Sequence, residues 1–491
     1  MPMLDLLTQS YPTIAEDQNQ AEITNMYLEL DQAKGKYKVV AYPMPGLTLL
    51  AAVPGQNEIR DMLSWNDVLY VIAGNGLYTI SEAGAATLLF SLNTSSGFAK
   101  MKVIAGGGNS NGQIIAIDGT NGYAYNIDTA VATVPITSIG FPQNAIDIEN
   151  QDDIVVAVPA NSIQWNISDI SDTTTWDALN FASKIGQPDQ IHAVVSHESM
   201  LWLMGDKTTE IWYNAGNELF PFQRVSTTFL HYGIGARDSI AVNGNYFCFL
   251  ATNRGGGYTI NQVVPKTYYY NPTPISTPPI ETLVTRLGNT VGVEDAIGDI
   301  VNIVGHDFYT ITFPAADQTL VYDVPKGARA EDKGAWYYRK SFNTATQEYG
   351  RFLGNNGAFC YGKQFVGDYA SGNIYILDDQ NYTENGTPIL REFISPPGPT
   401  YFEGKRVYFD RLQIDVETNV GVSKTFDLSK SVDNGDTWQL VGTYTIPPKG
   451  GRIYVTRLGQ SRYGMLFKLS TTMDANFCLL GFQVEARLGA S

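Results

Sequence analysis

The stretch Ile114–Ile127 (IIAIDGTNGYAYNI) carries the pattern that decides the fold. A short aliphatic run leads into a turn that contains Asp-Gly and Asn-Gly, and a second run then carries two tyrosines. Such turn residues tolerate positive φ, and apolar runs bounded by them are typical of paired strands. The stretch therefore predicts a β-hairpin with a buried first strand and aromatic side chains packed from the second.

The same pattern recurs along the chain, at a spacing of roughly 40 to 60 residues, which is the period of a four-stranded propeller blade. The other copies are Leu69–Ile80, Ile154–Ile167, Met200–Gly216, Tyr246–Ile260 and the segments that begin at Phe308 and Phe365. Because a blade cannot bury both of its faces alone, neighbouring blades must stack and the ring must close. We predict an all-β fold with a β-propeller of about seven (or six) blades. Separate β-sandwiches with similar hairpins are the alternative.

Prolines and a glycine interrupt the pattern at 395–399 (SPPGP). The strand-like segments beyond this break suit a small β-sandwich. We therefore predict an N-terminal arm or closing segment over 1–60, the β-propeller over 61–395 and a C-terminal β-sandwich domain over 400–491. The proline-rich segment Tyr268–Pro279 is predicted to be a long loop between blades.

Composition excludes several protein classes. Of 491 residues, only 16% are charged and 12% are aromatic, which argues against coiled coils and against disorder. The 32 Lys and Arg residues against 49 Asp and Glu residues give a net charge of −17. Broad binding to nucleic acid by phosphate neutralisation is therefore not expected, whereas an acidic wall that DNA slides past is compatible with this charge.

The cysteine spacing and the N-terminal sequence indicate the cellular compartment in which the chain is made. Cys248, Cys360 and Cys478 are far apart and outside any CxxC pair, so we expect small buried hydrophobes rather than a disulfide framework. The first twenty residues have neither a basic segment nor a long apolar segment, and the chain contains no run of about 18 apolar residues. We expect synthesis in a cytoplasm and no stable membrane insertion.

The sharpest local motif runs from Ser431 to Trp438 (SVDNGDTW) and matches the Asp-box pattern SxDxGxTW, which resembles a feature of sialidases and other propeller glycosidases. Its physical use is structural, because the aspartate accepts hydrogen bonds from turn amides, the glycine takes the tight backbone position and the tryptophan packs beneath. Sialidases carry several such boxes, whereas this chain has one, outside the predicted propeller. We therefore predict a structural turn whose key residues are Ser431, Asp433, Gly435, Thr437 and Trp438.

Other motifs do not support catalysis. Gly357–Lys363 (GAFCYGK) matches seven positions of a P-loop, but Gln364 follows in place of the Mg²⁺-binding hydroxyl residue. The four histidines His192, His197, His231 and His306 lack metal-ligand or HExxH spacing. A glycosidase needs a carboxylate pair, and the sequence does not select one. We therefore assign no catalytic, cofactor-binding or metal residue, expect no cofactor, and predict that the protein is not an enzyme.

Several short motifs occur in an order similar to that found in a known protein family. The series opens with Asn25–Glu29 (NMYLE) and Pro45-Gly46-Leu47, and its most telling block runs from Ser171-Asp172 through Trp176 to Pro188-Asp189. It continues with Glu210-Ile211-Trp212, Gly216, the segment Pro221–Arg224 and Gly233. Over roughly residues 10 to 380, the chain resembles the packaged-DNA stabilisation or tail hub proteins of short-tailed bacteriophages.

The resemblance implies a non-enzymatic virion protein made in the host bacterial cytoplasm and located in the tail or neck. Such hubs form a ring, typically of six copies, below the portal and its adaptor. They close the DNA exit channel and carry the tail needle and the fibres or tailspikes, while double-stranded DNA passes through the lumen without sequence-specific binding. Two alternatives stay open, namely a receptor- or glycan-binding virion protein and a propeller glycosidase.

Overall fold

The structure is a computed structural model that describes most of the chain. The described residues are 4–7, 21–30, 39–106, 111–253, 255–264, 271–324, 336–398, 406–417, 423–462 and 464–489. Within them the regular secondary structure is mostly β-strand, with one α-helix, Pro278–Thr290, and two short 3-10 helices, Arg237–Ser239 and Pro314–Ala316. The predicted all-β class is confirmed.

Five strands precede the first of the repeated sheets. They are β1 (Leu4–Asp5), β2 (Glu22–Thr24), β3 (Met26–Leu30), β4 (Val39–Pro43) and β5 (Gly46–Ala52). Of these five strands, only β3 and β4 pair with each other. All other pairings of the five are with strands from distant parts of the chain.

Four antiparallel sheets of four consecutive strands follow, here called units one to four. Unit one contains β6 (Ile59–Trp65), β7 (Val68–Ala73), β8 (Gly76–Ile80) and β9 (Ala86–Ser91), and unit two contains β10 (Lys100–Ile104), β11 (Gln113–Ile117), β12 (Gly122–Asn126) and β13 (Val131–Thr133). Unit three contains β14 (Ala145–Gln151), β15 (Ile154–Pro159), β16 (Gln164–Ile167) and β17 (Phe181–Ser183), and unit four contains β18 (Ile191–His197), β19 (Met200–Gly205), β20 (Thr209–Asn214) and β21 (Phe222–Leu230).

Units five and six are joined by the helix. Unit five contains β22 (Gly233–Ile234), β23 (Ala241–Asn243), β24 (Tyr246–Thr252), β25 (Tyr258–Val263) and β26 (Thr273–Pro274), and α1 (Pro278–Thr290) follows it. Unit six contains β27 (Ile297–Ile303), β28 (His306–Phe313), β29 (Gln318–Val324) and β30 (Trp336–Tyr338).

Unit seven closes the ring with a strand from the start of the chain. After the hairpin β31 (Lys340–Asn343) and β32 (Glu348–Arg351), it contains β33 (Gly354–Cys360), β34 (Lys363–Asp368) and β35 (Asn373–Asp378). Its fourth strand is β5, which pairs antiparallel with β35 from Ala52↔Asn373 to Gly46↔Asp378. Two short strands, β36 (Thr383–Glu384) and β37 (Thr387–Pro388), extend this sheet.

All seven hairpins expected from the sequence are present, as the second and third strands of units one to four, β24 with β25, β28 with β29 and β34 with β35. Their first strands are buried on both faces, because apolar clusters fill the spaces between neighbouring units. Strands packed on both faces read as continuous apolar runs, which is why IIAI and VVAV stand out in the sequence.

The helix corrects part of the predicted loop Tyr268–Pro279. Residues 265–270 lie outside the described residues, but Thr273–Pro274 pairs with β25, and α1 begins at Pro278. Proline suits the first helical turn, since its fixed φ is already helical and its missing N–H would be unsatisfied there. The buried face of α1 consists of Ile280, Val284 and Leu287, a spacing of four and three residues that indicates a helix.

The last strands build a two-layered sandwich with strands from the N-terminal region. They are β38 (Arg391–Ile394), β39 (Val407–Glu417), β40 (Lys424–Ser431), β41 (Gln439–Ile446), β42 (Gly451–Ser461), β43 (Leu466–Thr471) and β44 (Cys478–Leu488). One layer has the order β3-β4-β44-β39-β42, with β1 also on β44. The other continues from unit six in the order β30-β2-β38-β43-β40-β41.

The sandwich and unit six share one apolar core. Phe393, Phe467 and Phe482 pack together there, and the same cluster includes Ile23 from β2 and Phe308 from unit six. The predicted segments 1–60, 61–395 and 400–491 thus contribute strands to common sheets. Whether they fold independently stays a prediction.

The three cysteines lie buried in β24, β33 and β44 without disulfides, as predicted. In the described part of the chain, no helix has both the length and the apolar character needed to span a membrane.

Candidate functional site: the central cavity and the charged groups in its wall

The first strands of the units, and in unit five the second strand β23, enclose a central cavity of about 790 Å³. Its wall includes one side chain or more from each of the seven units, among them Asp61, Lys100, Glu149, Val195, Val242, Asp299 and Ala358. Every unit therefore contributes to the same axial space, as expected for a closed propeller.

Polar side chains in this wall, or buried beside it, connect three of the units to the next unit in the ring. Asp61 Oδ2 accepts a hydrogen bond from Met101 N–H at 2.6 Å, and Asp147 Oδ2 accepts one from Val194 N–H at 2.8 Å. At the closure, Asn356 Nδ2 donates to Arg60 O at 2.8 Å. All three side chains follow a register shift in the first strand of their unit, which aims them sideways along the ring.

Two ion pairs join units two and three in the wall. Lys102 Nζ lies 2.9 Å from a Glu149 oxygen, and Lys100 contacts the fully buried Asp147. Burial by itself lowers the pKa of Lys100, but the nearby Asp147 and Glu149 carboxylates outweigh it and raise that pKa. The lysine therefore stays charged.

Two other carboxyl groups in the wall are hard to ionise. Burial raises the pKa of Asp61 to about 6, although backbone N–H groups of Met101 and Met62 act in the opposite direction. Burial also raises the pKa of Asp299 to about 6, against a hydrogen bond from Ile300 N–H. Desolvation disfavours the charged form in both cases.

The wall also contains arginines, and an inward group of carboxylates and arginines is what the glycosidase alternative requires. The guanidinium groups of Arg60 and Arg237 already have hydrogen-bond partners within the chain, and that of the third, Arg351, lies 3.6 Å over the Tyr369 ring. Arg60 donates to the carbonyl oxygens of Gly97, Gly74, Thr94 and Phe98 and to the Thr94 hydroxyl. A substrate-binding arginine needs donors that face the ligand, and those of Arg60 hold a loop instead.

The second arginine is similarly engaged. Arg237 forms a bidentate pair with Asp238 at 2.8 Å, donates to Ile146 O and lies 3.6 Å over the Phe98 ring. Within the described residues, no group of three or more His, Cys, Asp or Glu side chains is placed to hold a metal ion.

The Asp-box turn lies at one end of the sandwich, far along the chain from the cavity wall. Asp433 accepts hydrogen bonds from Ser431 Oγ at 2.6 Å and from Thr437 N–H at 3.0 Å, and Ser431 Oγ accepts one from Gly435 N–H at 2.9 Å. The side-chain hydrogen bonds from Ser431 and Thr437 lower the pKa of Asp433 to about 2. Gly435 has φ +99°, and the Trp438 ring lies next to it. That the box serves only as a structural turn stays a prediction.

The P-loop-like segment and the four histidines, to which the sequence assigns no function, lie in ordinary structural positions. Gly357–Lys363 spans the hairpin of β33 and β34, with no helix after it. His192 contacts Asp206 and His306 contacts Asp323, whereas His197 is buried against Phe247. His231 also has an interaction partner.

Several residues of the family-like series turn out to be interior. Trp176 packs edge-on against Phe141 between units two and three, and Trp212 packs edge-on against Trp165 between units three and four. Because Trp176 and Trp212 are buried, the series is typical of the fold and does not identify a contact surface.

Asn25, the first residue of the series, connects the ring to the sandwich by hydrogen bonds. Its Nδ2 donates to Lys340 O at 2.9 Å and to Leu390 O at 2.7 Å, and its Oδ1 accepts from Lys340 N–H at 3.0 Å. It adopts a left-handed conformation with φ +54°, which asparagine tolerates better than most residues.

Sequence reasoning missed the wall residues Arg60, Asp61 and Asp299 and the buried Asp147 beside them, because no local pattern in the sequence separates them from charged residues at the surface. A repeated signal was present for another group. Asp118 accepts hydrogen bonds from Thr120, Asn121 and Tyr123 in the turn of unit two, and Asp368 accepts from Ser371 and Tyr375 in unit seven. An aspartate after an apolar strand, followed by a tyrosine in the next strand, would have identified both turns.

A family comparison matches residues 15–382 to the family described as Bacteriophage P22 Gp10, beta-propeller. No curated protein matches the chain significantly. Similar solved structures include the computationally designed Ika8 protein, with 12% identity and a TM-score of 0.41 over 67% of this chain and 99% of that chain. The Pan2 WD40 domain of Neurospora crassa has 9% identity and a TM-score of 0.41 over 68% and 95% of the two chains.

An exo-beta-1,3-galactanase from Phanerochaete chrysosporium has 10% identity and a TM-score of 0.29 over 90% of this chain and 100% of that chain. Such low values carry no argument about function, and no enzyme activity is supported by them. The family match covers most of the chain and confirms the resemblance seen in the sequence. The chain therefore belongs to the Bacteriophage P22 Gp10 family of β-propeller proteins, a phage virion structural family associated with the stabilisation of packaged DNA.

Proposed function

We propose that this protein is a tail hub, or nozzle, that binds below the portal–adaptor complex and closes the DNA exit channel. It would retain the packaged DNA and carry the tail needle and the fibres or tailspikes. The single observation that carries this proposal is the family match over residues 15–382.

The size of the central cavity supports assembly of several copies. A cavity of about 790 Å³ is the size of a small-molecule pocket, roughly 300–1,000 Å³, and its wall is filled with paired side chains. Duplex DNA cannot pass through such a space. The DNA channel would therefore lie between copies, and we propose a homo-oligomeric ring of six.

The charge of the chain suits a lumen through which DNA moves. With a net charge of −17, the protein as a whole repels phosphates, so DNA would pass through the lumen without sequence-specific binding. The ring would occupy the neck or tail of the virion after synthesis in the cytoplasm of the host bacterium.

The rigidity of the ring suits a plug that resists the pressure of confined DNA. Pairing of β5 with β35 links residues 46–52 to residues 373–378, so the two ends of the propeller cannot separate without breaking a full strand pair. The sandwich adds a second surface beside the ring, available for the adaptor or for tail components.

The test is reconstitution on DNA-filled heads that lack their tails. Purified protein is added to heads with and without the portal adaptor, and co-sedimentation and DNA leakage are measured. We expect binding and DNA retention only when the adaptor is present. No binding in either case would contradict the hub function and favour the receptor-binding alternative, for which a glycan screen is the next measurement.

A further inference from the structure

Charge is distributed unevenly along the chain. Residues 400–491 contain eleven Lys and Arg against nine Asp and Glu, a net charge of +2, whereas residues 1–399 carry −19. Residues 141–220, which include unit three and the first three strands of unit four, contain twelve Asp and Glu against two Lys, a net charge of −10. The molecule therefore has an acidic region in the ring and a mildly basic region in the sandwich.

The basic residues of the sandwich gather at the end that is remote from the ring. β38 begins at Arg391, which contacts Tyr382 O beside the ring, and the chain then runs to Gly398, whose N–H donates to Met465 O at the other end. We call this remote end the sandwich tip, and its cationic residues are Arg406, Lys430, Arg457, Arg462, Lys468 and Arg487.

Strand pairing brings these residues together. Val407 pairs with both Ser461 and Leu488, which places Arg406 beside Arg462 and Arg487. Lys430 Nζ donates to Leu458 O at 2.8 Å, next to Arg457. Exposed apolar side chains accompany them, with Val432, Leu440 and Leu488 between 42% and 59% exposed.

Among the described residues, most of the tip cations have no acidic partner. Arg487 lies 3.0 Å from Asp410, but Arg406, Arg457 and Arg462 are exposed and form no ion pair within the described ranges. An exposed group of unpaired cations beside apolar side chains is typical of an interface with an acidic partner.

A surface of the opposite charge lies on units three and four. Its acidic residues are Asp152, Asp153, Asp169, Asp172, Glu198 and Glu218, here called the acidic face. Hydrogen bonds hold their turns side by side, from Ser171 N–H to Asp153 O, from Asn214 Nδ2 to Asp152 Oδ2 and from Gln151 Nε2 to Ser199 O. Two large apolar side chains, Ile170 and Leu219, stand among them with 69% and 92% of their surface exposed.

The two surfaces cannot meet within one chain. The sandwich continues the sheet of unit six through β30, β2 and β38. Units three and four are separated from units six and seven by unit five on one side of the ring and by units one and two on the other. The acidic face is therefore accessible to the tip of another molecule only.

We propose that the sandwich tip of one copy docks head to tail on the acidic face of a second copy. This contact rests on the proposed ring, and it joins two different surfaces, so that repeated copies can close a ring. The opposite charges provide orientation, and Ile170 and Leu219 with the exposed tip residues Val432 and Leu488 provide the apolar contact.

A charge swap in the full-length chain tests the contact. The tip variant carries Arg406→Glu, Arg457→Glu and Arg462→Glu, and the face variant carries Asp152→Lys, Asp169→Lys and Glu218→Lys. A control variant with Arg286→Glu, Lys363→Glu and Lys449→Glu changes the net charge as the tip variant does, but away from both surfaces. Self-association is measured by sedimentation velocity at low and high salt, and circular dichroism checks folding.

We expect wild type and control to associate, more weakly at high salt because salt screens exposed charges. Each swapped variant should dissociate with a Kd raised by about 100-fold, since like charges then face each other. An equimolar mixture should regain association, because the acidic tip of one variant faces the basic face of the other. A monomeric wild type at low salt, variants that behave as the control does, or a mixture that fails to recover would each overturn the contact.

Two further measurements separate this contact from other outcomes. Binding of a short DNA duplex that is lost only in the tip variant, with unchanged self-association, would assign the tip to nucleic acid and overturn the protein contact. DNA-filled heads that both variants seal as wild type does would also overturn it while leaving the hub function intact. Heads that wild type itself does not seal would contradict the hub function.

Discussion

The ring and the sandwich are both made of antiparallel strands, but they are assembled differently. Units one to four each use four consecutive strands, so every pairing joins neighbours in sequence. The sandwich combines strands from residues 4–43 with strands from residues 391–488. Local pairings leave a repeated pattern in the sequence, whereas pairings between distant segments leave none.

The boundary between the two regions is itself a continuous sheet. Thr24 of β2 pairs with Tyr338 of unit six on one side and with Glu392 of β38 on the other. A strand of three residues from the N-terminal region thus links the ring to the sandwich. Five changes, one deletion and four substitutions, test how the two regions differ and how this link couples them.

Deletion of residues 400–491 should have the largest effect. The sequence predicts that the propeller stays folded. The structure adds that β4 loses its partner β44 and β38 loses its partner β43, and that Ile23, Tyr27 and Phe393 lose the part of their apolar core that the deleted strands provide. Hydrogen exchange measured by mass spectrometry should show rapid exchange in residues 21–43 and 391–398, with protection retained in units one to four. Rapid exchange throughout the chain would show that the propeller needs the sandwich to fold.

Asn25→Ala should have the next largest effect. It removes three hydrogen bonds between the ring and the sandwich and leaves partly buried backbone groups of Lys340 and Leu390 without these partners. We expect a loss of about 3 kcal/mol in the free energy of unfolding, measured by urea titration. Asn66→Ala is the matched control, because Asn66 is exposed with φ +48° and tests the backbone conformation alone. Equal losses in the two variants would mean that the hydrogen bonds of Asn25 contribute little.

The pH dependence of the free energy of unfolding should have one sign for Asp118 in unit two and the opposite sign for Glu384 in the sheet of unit seven. Burial raises the pKa of Asp118, but hydrogen bonds from Thr120, Asn121 and Tyr123 outweigh it and lower the pKa to about 2. Its contribution is present above pH 4, and about 2 kcal/mol is lost as the pH falls towards 2. Burial raises the pKa of Glu384, beside Ser341, to about 7. Its contribution is present below about pH 4 and is lost as the pH rises through 7.

Asp118→Asn and Glu384→Gln should each remove one of these slopes. The measurement is the free energy of unfolding from pH 2 to pH 8, and the slope rather than the absolute stability is compared, because each substitution also removes a hydrogen-bond acceptor. An unchanged slope between pH 2 and pH 4 in Asp118→Asn would contradict the first assignment. An unchanged slope between pH 5 and pH 7 in Glu384→Gln would contradict the second.

Asp433→Ala should have the smallest effect. Its hydrogen bonds with Ser431 and Thr437 are confined to one exposed turn of the sandwich. We expect a small decrease in Tm by calorimetry and no change in the ring, with Asp436→Ala in the same turn as the control. Loss of a glycan-hydrolysing activity with unchanged Tm would support the glycosidase alternative instead.

Much of the ring was predictable, and the reasons are local. Each hairpin repeats a buried apolar strand and a turn, so Leu69–Ile80 and Ile114–Ile127 identify their units independently. The helix α1 was missed because its prolines suggested a loop, although Ile280, Val284 and Leu287 have helical spacing. The charged groups in and beside the cavity wall were not predictable, because Asp61 and Asp147 accept hydrogen bonds from backbone groups 40 and 47 residues away.

The sequence by itself determined the all-β class, the seven hairpins and the family, because each rests on residues close together in the chain or on their order. Tertiary structure alone decided that β5 closes the ring, that β2 joins the ring to the sandwich and that the tip cations gather at one end. The physical reason is that these features depend on pairing between segments that are not neighbours in the chain, from Val407 with Ser461 to Thr24 with Tyr338. Which surfaces such pairing buries or leaves exposed is decided only when the whole chain has folded.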